Sequence, residues 1–260
     1  MALQLMLPKT SFYGVTDIGL VRQNNEDFWY SLPDYNFYAL ADGMGGHQAG
    51  EVASQETVMR VCQFIQGNFL VSKSLHAARE MLRLAIRITN DQIYRMSQEN
   101  PLLRGMGTTL CCVFLHPKGL IYAHVGDSRI YRMRKGTLEP LTHDHSLVQE
   151  LIELGQLNEQ QADEFQYKNI ITKAIGTESR VEPTVQTDVI EKDDILLLCS
   201  DGLTDLLTDQ EIEHIISLKP TSEVASILVK TAVIKGGFDN VTAVVIKIED
   251  LYAPSDLPRS

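Results

Sequence analysis

The stretch TTLCCVFLHPKGLIYAHVGD, Thr108 to Asp127, decides the fold class. Two runs rich in β-branched and apolar residues, Thr108–Leu115 and Leu120–Val125, flank the turn signal His116-Pro117-Lys118-Gly119. They predict an antiparallel hairpin, and Ser128–Arg134 is expected to continue it as a meander. Towards the N-terminus lie β-type segments near Phe12–Asp17 and Asn36–Ala41, then a long helical region. There Val58, Val61, Cys62 and Ile65 follow the i, i+3, i+4, i+7 rule, and Ala78, Leu82, Ala85 and Ile86 repeat it. Arg79, Arg83 and Arg87 take the opposite face, expected to be solvated. Towards the C-terminus, Ser146–Phe165 has helical spacing at Leu147, Leu151 and Leu154, broken at Gly155, and reads as a small excursion from the core. Strands resume at Thr184–Ile190 and Ile195–Ser200, helices at Gln210–Ile216 and Ser222–Ile234, and Val241–Ile248 is a last strand. Strand meanders separated from paired helices favour a layered α+β architecture, a two-sheet core with helices outside.

The chain has 260 residues, 44% of them hydrophobic, which suits one sizeable core and a single domain. With 34 acidic against 23 basic residues the net charge is −11, which argues against a broad nucleic-acid-binding surface. An acidic protein acting on phosphate would have to recruit metal, because free carboxylates repel the anion. Cys62, Cys111, Cys112 and Cys199 form no C-x-x-C pair and read as reduced core residues of a cytoplasmic protein. Met1–Lys9 carries no signal-peptide pattern and no apolar run is long enough to span a membrane, so no membrane association is expected. Asn240-Val241-Thr242 matches a glycosylation sequon, set aside for a protein that is not exported. Ala253–Ser260 looks like a loose tail.

Chemistry concentrates in acids beside glycine at the ends of expected strands: Asp42-Gly43, Gly126-Asp127 and Asp201-Gly202, joined by Asp239-Asn240 before the last strand. One Asp-Gly is ordinarily a turn. Four such acids, each desolvated at a strand end, would all be compensated by a shared metal centre. Oxygen-only ligands suit manganese or magnesium. Zinc would need His143-Asp144-His145, but consecutive residues rarely converge on one tetrahedral ion, so these histidines are expected to order a loop. Other phosphate chemistries lack their motifs. There is no G-x-x-x-x-G-K-[ST], G-x-S-x-G, H-E-x-x-H or D-x-D. Six residues after the cysteines stand Asn68, Pro117, Lys118 and Asp205, not the arginine a cysteine phosphatase needs.

Seven blocks then fall in one order: Arg22-Gln23-Asn24-Asn25-Glu26-Asp27, Asp42-Gly43-Met44-Gly45-Gly46-His47, Gly105-Met106-Gly107-Thr108-Thr109, Val125-Gly126-Asp127-Ser128-Arg129, Thr142–Ser146, Ser200-Asp201-Gly202 and Asp239-Asn240-Val241-Thr242. On these blocks the chain resembles the metal-dependent serine/threonine protein phosphatases, the type 2C or PPM-type family, and looks like a bacterial single-domain member. The resemblance implies a four-layer αββα sandwich of two antiparallel sheets flanked by helix pairs. It places the domain at 1–252, with a flap at about 146–165 and a tail at 253–260. It also implies two Mn2+ or Mg2+ ions. Asp42 would bridge them, the Gly43 carbonyl and Glu26 would serve the second ion, and Asp201 and Asp239 the first. Asp27 would act through water, Asp127 with Asp201 would offer a third, weaker site, and Arg22 would bind the substrate phosphate.

Two metals roughly 3.5–4 Å apart activate a water and clamp a phosphoryl group, which suffices for direct hydrolysis of phosphoserine or phosphothreonine. The proton donor stays open. Many eukaryotic relatives carry histidine directly after the Asp-Gly, where this chain has Met44, so His47 and a metal-bound water are equal candidates. As a structural alternative, His47 would cap the helix beginning near Gly50. The implied partners are phosphoproteins, including a serine/threonine kinase or its targets, with the enzyme acting as a monomer. Two other classes stand beside this one. A non-catalytic sensor on the same fold is disfavoured by the intact acids, and a nucleotide hydrolase would want a base-binding pocket for which no signature appears.

Overall fold

The computed structural model describes residues 7–45, 49–69, 74–158, 161, 162, 165, 167 and 170–251. The hairpin forms as expected: β5 (Leu110–His116) pairs antiparallel with β6 (Gly119–Val125). Around it a sheet runs in the order β2 (Asp27–Leu32), β3 (Phe37–Met44), β5, β6, β9 (Thr184–Asp188), with the two-residue β4 (Gly107–Thr108) paired to the end of β3. The second sheet runs β1 (Lys9–Asp17), β11 (Val241–Asp250), β10 (Ile195–Cys199), β7 (Arg129–Arg134), β8 (Thr137–Pro140). Helices α1 (Ala49–Asn68) and α2 (Leu75–Glu99) cover the first sheet. On the second lie α4 (Asp201–Thr204), α5 (Asp209–Leu218) and α6 (Thr221–Lys235).

The two-residue period of the strands builds the layers. Along β3, Tyr38 and Leu40 enter the core between the sheets, while Phe37, Ala39 and Ala41 face α1 and α2. The consecutive Cys111 and Cys112 divide in the same way, one in each core. The inner core continues through Val113, Leu198, Val244 and Ile246, and the outer one under α5 and α6 gathers Leu197, Val245, Ile212 and Leu228. All four cysteines are buried free thiols, and burial pushes Cys62 and Cys199 up to about 12. This is the four-layer αββα sandwich.

Three expectations need correction. Ser128–Arg134 does not continue the meander: β7 pairs with β10 in the opposite sheet. The crossing is made at Gly126, whose φ of +98° favours glycine and whose added Cβ would lie 2.7 Å from Thr109 Cγ2. Strand β2 was not anticipated, and β3 runs on through Asp42 and Gly43 instead of stopping at Ala41. Arg79 and Arg83 are half-buried rather than solvated, because they hold Val185 O and Glu182 at the entry to β9. In the excursion, Ser146 caps α3 (Leu147–Glu153) and Gly155 ends it at φ +69°. Residues 159, 160, 163 and 164 of its second half, and the tail at 253–260, lie outside the described residues.

Candidate metal centre

The residues singled out converge at one end of the sandwich. A cleft of 290 Å3 there is lined by Arg22, Glu26, Asp42, Gly43, Asp127, Asp201 and Asp239, which are up to 217 residues apart in sequence. Asp27 lies buried behind the wall, directly across the β2–β3 ladder from Asp42. His47 lies outside the described residues.

Each acid is placed by its backbone. Asp42 N–H donates to Thr109 Oγ1 at 2.9 Å, and Asp42 O accepts from Thr108 Oγ1 at 2.7 Å and from Thr109 N at 2.8 Å. Gly43 admits α1, since a Cβ there would fall 2.1 Å from Gly50 O. Asp127 follows the Gly126 turn, which His145 fixes twice: its backbone N–H donates to Gly126 O at 2.9 Å, and its Nδ1 accepts from Gly126 N at 3.1 Å. His145 stacks on His124, which donates to His143 O, and Asp144 holds Arg129 through both carboxylate oxygens. The triplet thus orders a loop, as expected.

Asn240, which the sequence marks only as a sequon residue and as the neighbour of Asp239, has a structural part of its own. It is buried, donates to Ile18 O and Asn24 O at 3.0 Å each, and accepts from Glu26 N at 2.8 Å, so it shapes the loop that carries Arg22 and Glu26. Ser200 and Thr242 were also missed. Both donate to Asp27 Oδ2, at 2.8 and 2.6 Å. The available signal was a hydroxyl or amide adjoining two of the acids, Ser200 before Asp201 and Asn240 after Asp239.

The electrostatics are lopsided. Burial, then Asp27, Asp201, Asp127 and Asp239, raises Asp42 well above the usual carboxylate range. Burial raises Asp27 to about 7, and Asp127 to about 7 with help from Asp201. Burial and Asp239 raise Asp201 to about 6, although Asp42 stands within hydrogen-bonding reach of it. Among the described residues lining the cleft the single basic side chain is Arg22, and its Nη2 is engaged with Asp239 Oδ2 at 2.6 Å. Asp27 Oδ1 and Asp201 Oδ1 are buried with no hydrogen-bond partner. Such oxygens are costly unless a cation or donor meets them, so an all-oxygen, anionic donor set fits hard divalent cations. Among the described residues no three side chains stand as a closed coordination group. Asp239 Oδ2 is taken up by its ion pair with Arg22.

Residues 19–231 match the family model described as "Protein phosphatase 2C". The chain is 39% identical over 239 residues to a putative protein phosphatase 2C-type of Streptococcus pyogenes, spanning 90% of this chain and 96% of that one. The serine/threonine phosphatase of S. agalactiae superposes with a TM-score of 0.84 at 37% identity, covering 93% of this chain and 100% of that one. The catalytic domain of the serine/threonine protein phosphatase PstP, solved in complex with two manganese ions, does so with a TM-score of 0.81 at 36% identity, covering 93% and 99%.

Proposed function

The chain belongs to the protein phosphatase 2C family and is a metal-dependent protein-serine/threonine phosphatase, and we propose that the acid cluster at the end of its sandwich is the catalytic centre. The observation that carries this assignment is the set of desolvated carboxylates around a cleft whose one guanidinium is already paired, with orphaned oxygens on Asp201 in its wall and on Asp27 behind it. Asp42, central to the cluster, would help to hold both cations. Glu26 and the Gly43 carbonyl would hold one with it, and Asp201 and Asp239 the other. Asp27 acts at one remove, because Ser200 and Thr242 occupy its Oδ2. Asp127 with Asp201 offers a third position. Manganese or magnesium bound there supplies the Lewis acidity that activates water and screens a phosphoryl group.

The rest falls to the chain's own residues. Arg22, half-exposed and tethered to Asp239, swings between that carboxylate and two oxygens of an incoming phosphate, which a planar guanidinium can hold at once. Thr108 and Thr109 keep the Asp42 backbone fixed as charge builds in front of it. Phosphoprotein substrates include a serine/threonine kinase or its targets, since a hydrolase of phosphoserine and phosphothreonine opposes the enzyme that makes them. No helix among the described residues is long and apolar enough to cross a membrane, and four buried thiols suit a reducing cytoplasm. The working form is a monomer. A phosphopeptide panel, read against nucleotides with and without manganese, tests the assignment: manganese-dependent release of phosphate from phosphoserine and phosphothreonine peptides is expected, and faster turnover of nucleotides would overturn it.

A further inference from the structure

Exposed apolar side chains gather beside the cleft. Leu20, Val21, Ile234 and Phe238 are 68%, 62%, 84% and 64% exposed. Leu20, Val21 and Phe238 sit on two loops fastened side by side, and Ile234 is on the last turn of α6. Leu20 N–H donates to Gly237 O at 2.7 Å, and Arg22 meets Asp239 at 2.6 Å. The Leu20 side chain lies against Gly237, where an added Cβ would fall 3.1 Å from Leu20 Cγ. The Phe238 ring covers Gly236, where an added Cβ would fall 2.6 Å from it. Asn240 pins the first loop at Ile18 O and Asn24 O. The apolar groups therefore stand on hydrogen-bonded backbone. Single exposed apolar residues are ordinary, but a cluster of them marks a contact surface.

Its position says what it contacts. Val21 precedes Arg22 and Phe238 precedes Asp239, and Arg22 and Asp239 both line the cleft. Consecutive Cα atoms are about 3.8 Å apart, and an extended peptide advances about 3.3–3.6 Å per residue. A polypeptide whose phosphate reaches Arg22 therefore has its neighbouring residues within reach of this rim. The adjoining hollow under α3 is mixed, with Asp127, Asp144, Asp201 and Asp205 beside Arg129 and the apolar Val148 and Ile152.

We propose that Leu20, Val21 and Phe238, with Ile234 beside them, form a docking rim for an apolar side chain lying one to three residues from the phosphorylated residue of a protein substrate. The proposal rests on the reading of the cleft as the phosphatase site. The occupant is the substrate chain because the rim is continuous with the wall that its phosphate must meet.

The test uses Leu20→Ser, Phe238→Ser and the double variant on alanine heptapeptides with a central phosphothreonine. Leucine replaces alanine one, two or three positions to either side, and an aryl phosphate is the control. In the wild type one leucine placement lowers KM about tenfold, the range expected of an apolar pocket. The double variant loses that preference and keeps wild-type kinetics on the all-alanine peptide and the aryl phosphate. Absence of any leucine preference in the wild type overturns the rim, as do equal losses on leucine and alanine peptides. Fluorescence anisotropy of the labelled leucine peptide reads docking without turnover: tighter binding to wild type than to the double variant supports the rim, and equal binding overturns it. Wild type that fails on the aryl phosphate with manganese counts against the phosphatase reading alone. Sedimentation velocity covers the rival occupant, since a dimer abolished in the double variant gives the patch to a second copy and overturns the proposal.

Discussion

Asp194 and Asp201 stand just before and just beyond the same strand, β10, about 20 Å apart at a strand's rise per residue. Asp194 is 1% exposed and held by both arms of Arg134, Nε to Oδ1 at 2.7 Å and Nη2 to Oδ2 at 2.6 Å, while its Oδ2 also accepts from Glu191 N. Arg132 beside it binds Glu139 and Asp188. At the other end Asp201 keeps an orphaned oxygen among Asp42, Asp127 and Asp239. The basic groups there are already engaged, Arg22 by Asp239 and Arg129 by Asp144. Burial of a carboxylate is common to both ends and so does not identify function. What separates them is counter-charge, supplied by the chain at one end and withheld at the other.

The largest expected effect comes from taking charge out of the deficient end. Asp42→Asn should lower kcat by about 10^3-fold, the several kcal/mol attributed to metal-stabilised charge, with circular dichroism unchanged. Metal-stripped Asp42→Asn should also melt higher than metal-stripped wild type, because one repulsive carboxylate is gone. Wild-type turnover in this variant would remove Asp42 from the centre.

The next effect is of pH and metal together. Asp27 and Asp127 are raised to about 7 and Asp201 to about 6. A carboxyl raised on folding contributes stability that is complete below its unfolded pKa and lost as pH rises through the folded value. Metal-stripped protein should therefore lose stability from this end between about pH 4 and 7, on the order of several kcal/mol at about 1.4 kcal/mol per pKa unit. Manganese competes with those protons and should reverse the trend. Burial keeps His124 and His145 neutral, with His145 lowered to about 3, so they add stability in the opposite sense as pH rises through the unfolded histidine pKa. Their contribution is common to both samples. The measurement is the difference in Tm with and without manganese, which should widen from about pH 4 to 7; a constant difference would mean that the acids already have partners.

At the compensated end, Asp194→Ala should cost about 2 kcal/mol in urea unfolding. This is less than the ~3–5 kcal/mol of a fully buried pair, since Arg134 reaches solvent and keeps Glu191. Its kcat and manganese dependence should match wild type, and a shift in either would blur the distinction between the ends. Arg22→Ala should raise KM for phosphopeptides about tenfold with a smaller fall in kcat, and an unchanged KM would count against phosphate binding. The smallest effect expected is none: iodoacetamide on the native enzyme should leave turnover intact, because burial raises all four thiols.

Local pattern was a good guide wherever the physics is local. The hairpin at Thr108–Val125, the helices through Val58–Ile65 and Ala78–Ile86, and the strand-end acids follow from periodicity and turn chemistry that involve near neighbours only. Strand β2 escaped because Asp27-Phe28-Trp29-Tyr30 lacks clean alternation. Its fit depends on pairing with β3, a contact that residues 27–32 alone do not encode. Likewise β7 reads as one more strand of a meander, since a strand's own sequence gives its faces but not the sheet it joins.

The sequence by itself determined which residue types were available for chemistry: oxygen ligands without a zinc set, no cysteine nucleophile, and two arginines, Arg22 and Arg129, in recognisable blocks. Only the tertiary structure decided which of them meet. Arg22 reaches Asp239 because β1 and β11 pair edge to edge, bringing the loops at 18–22 and 236–240 together. Asp27 faces Asp42 because β2 and β3 share a register, and Asp194 and Asp201 differ because β7 lays Arg134 beside one and not the other. Side-chain chemistry is a property of the residue, whereas counter-charge is a property of the neighbours, and those are set by the path of the whole chain.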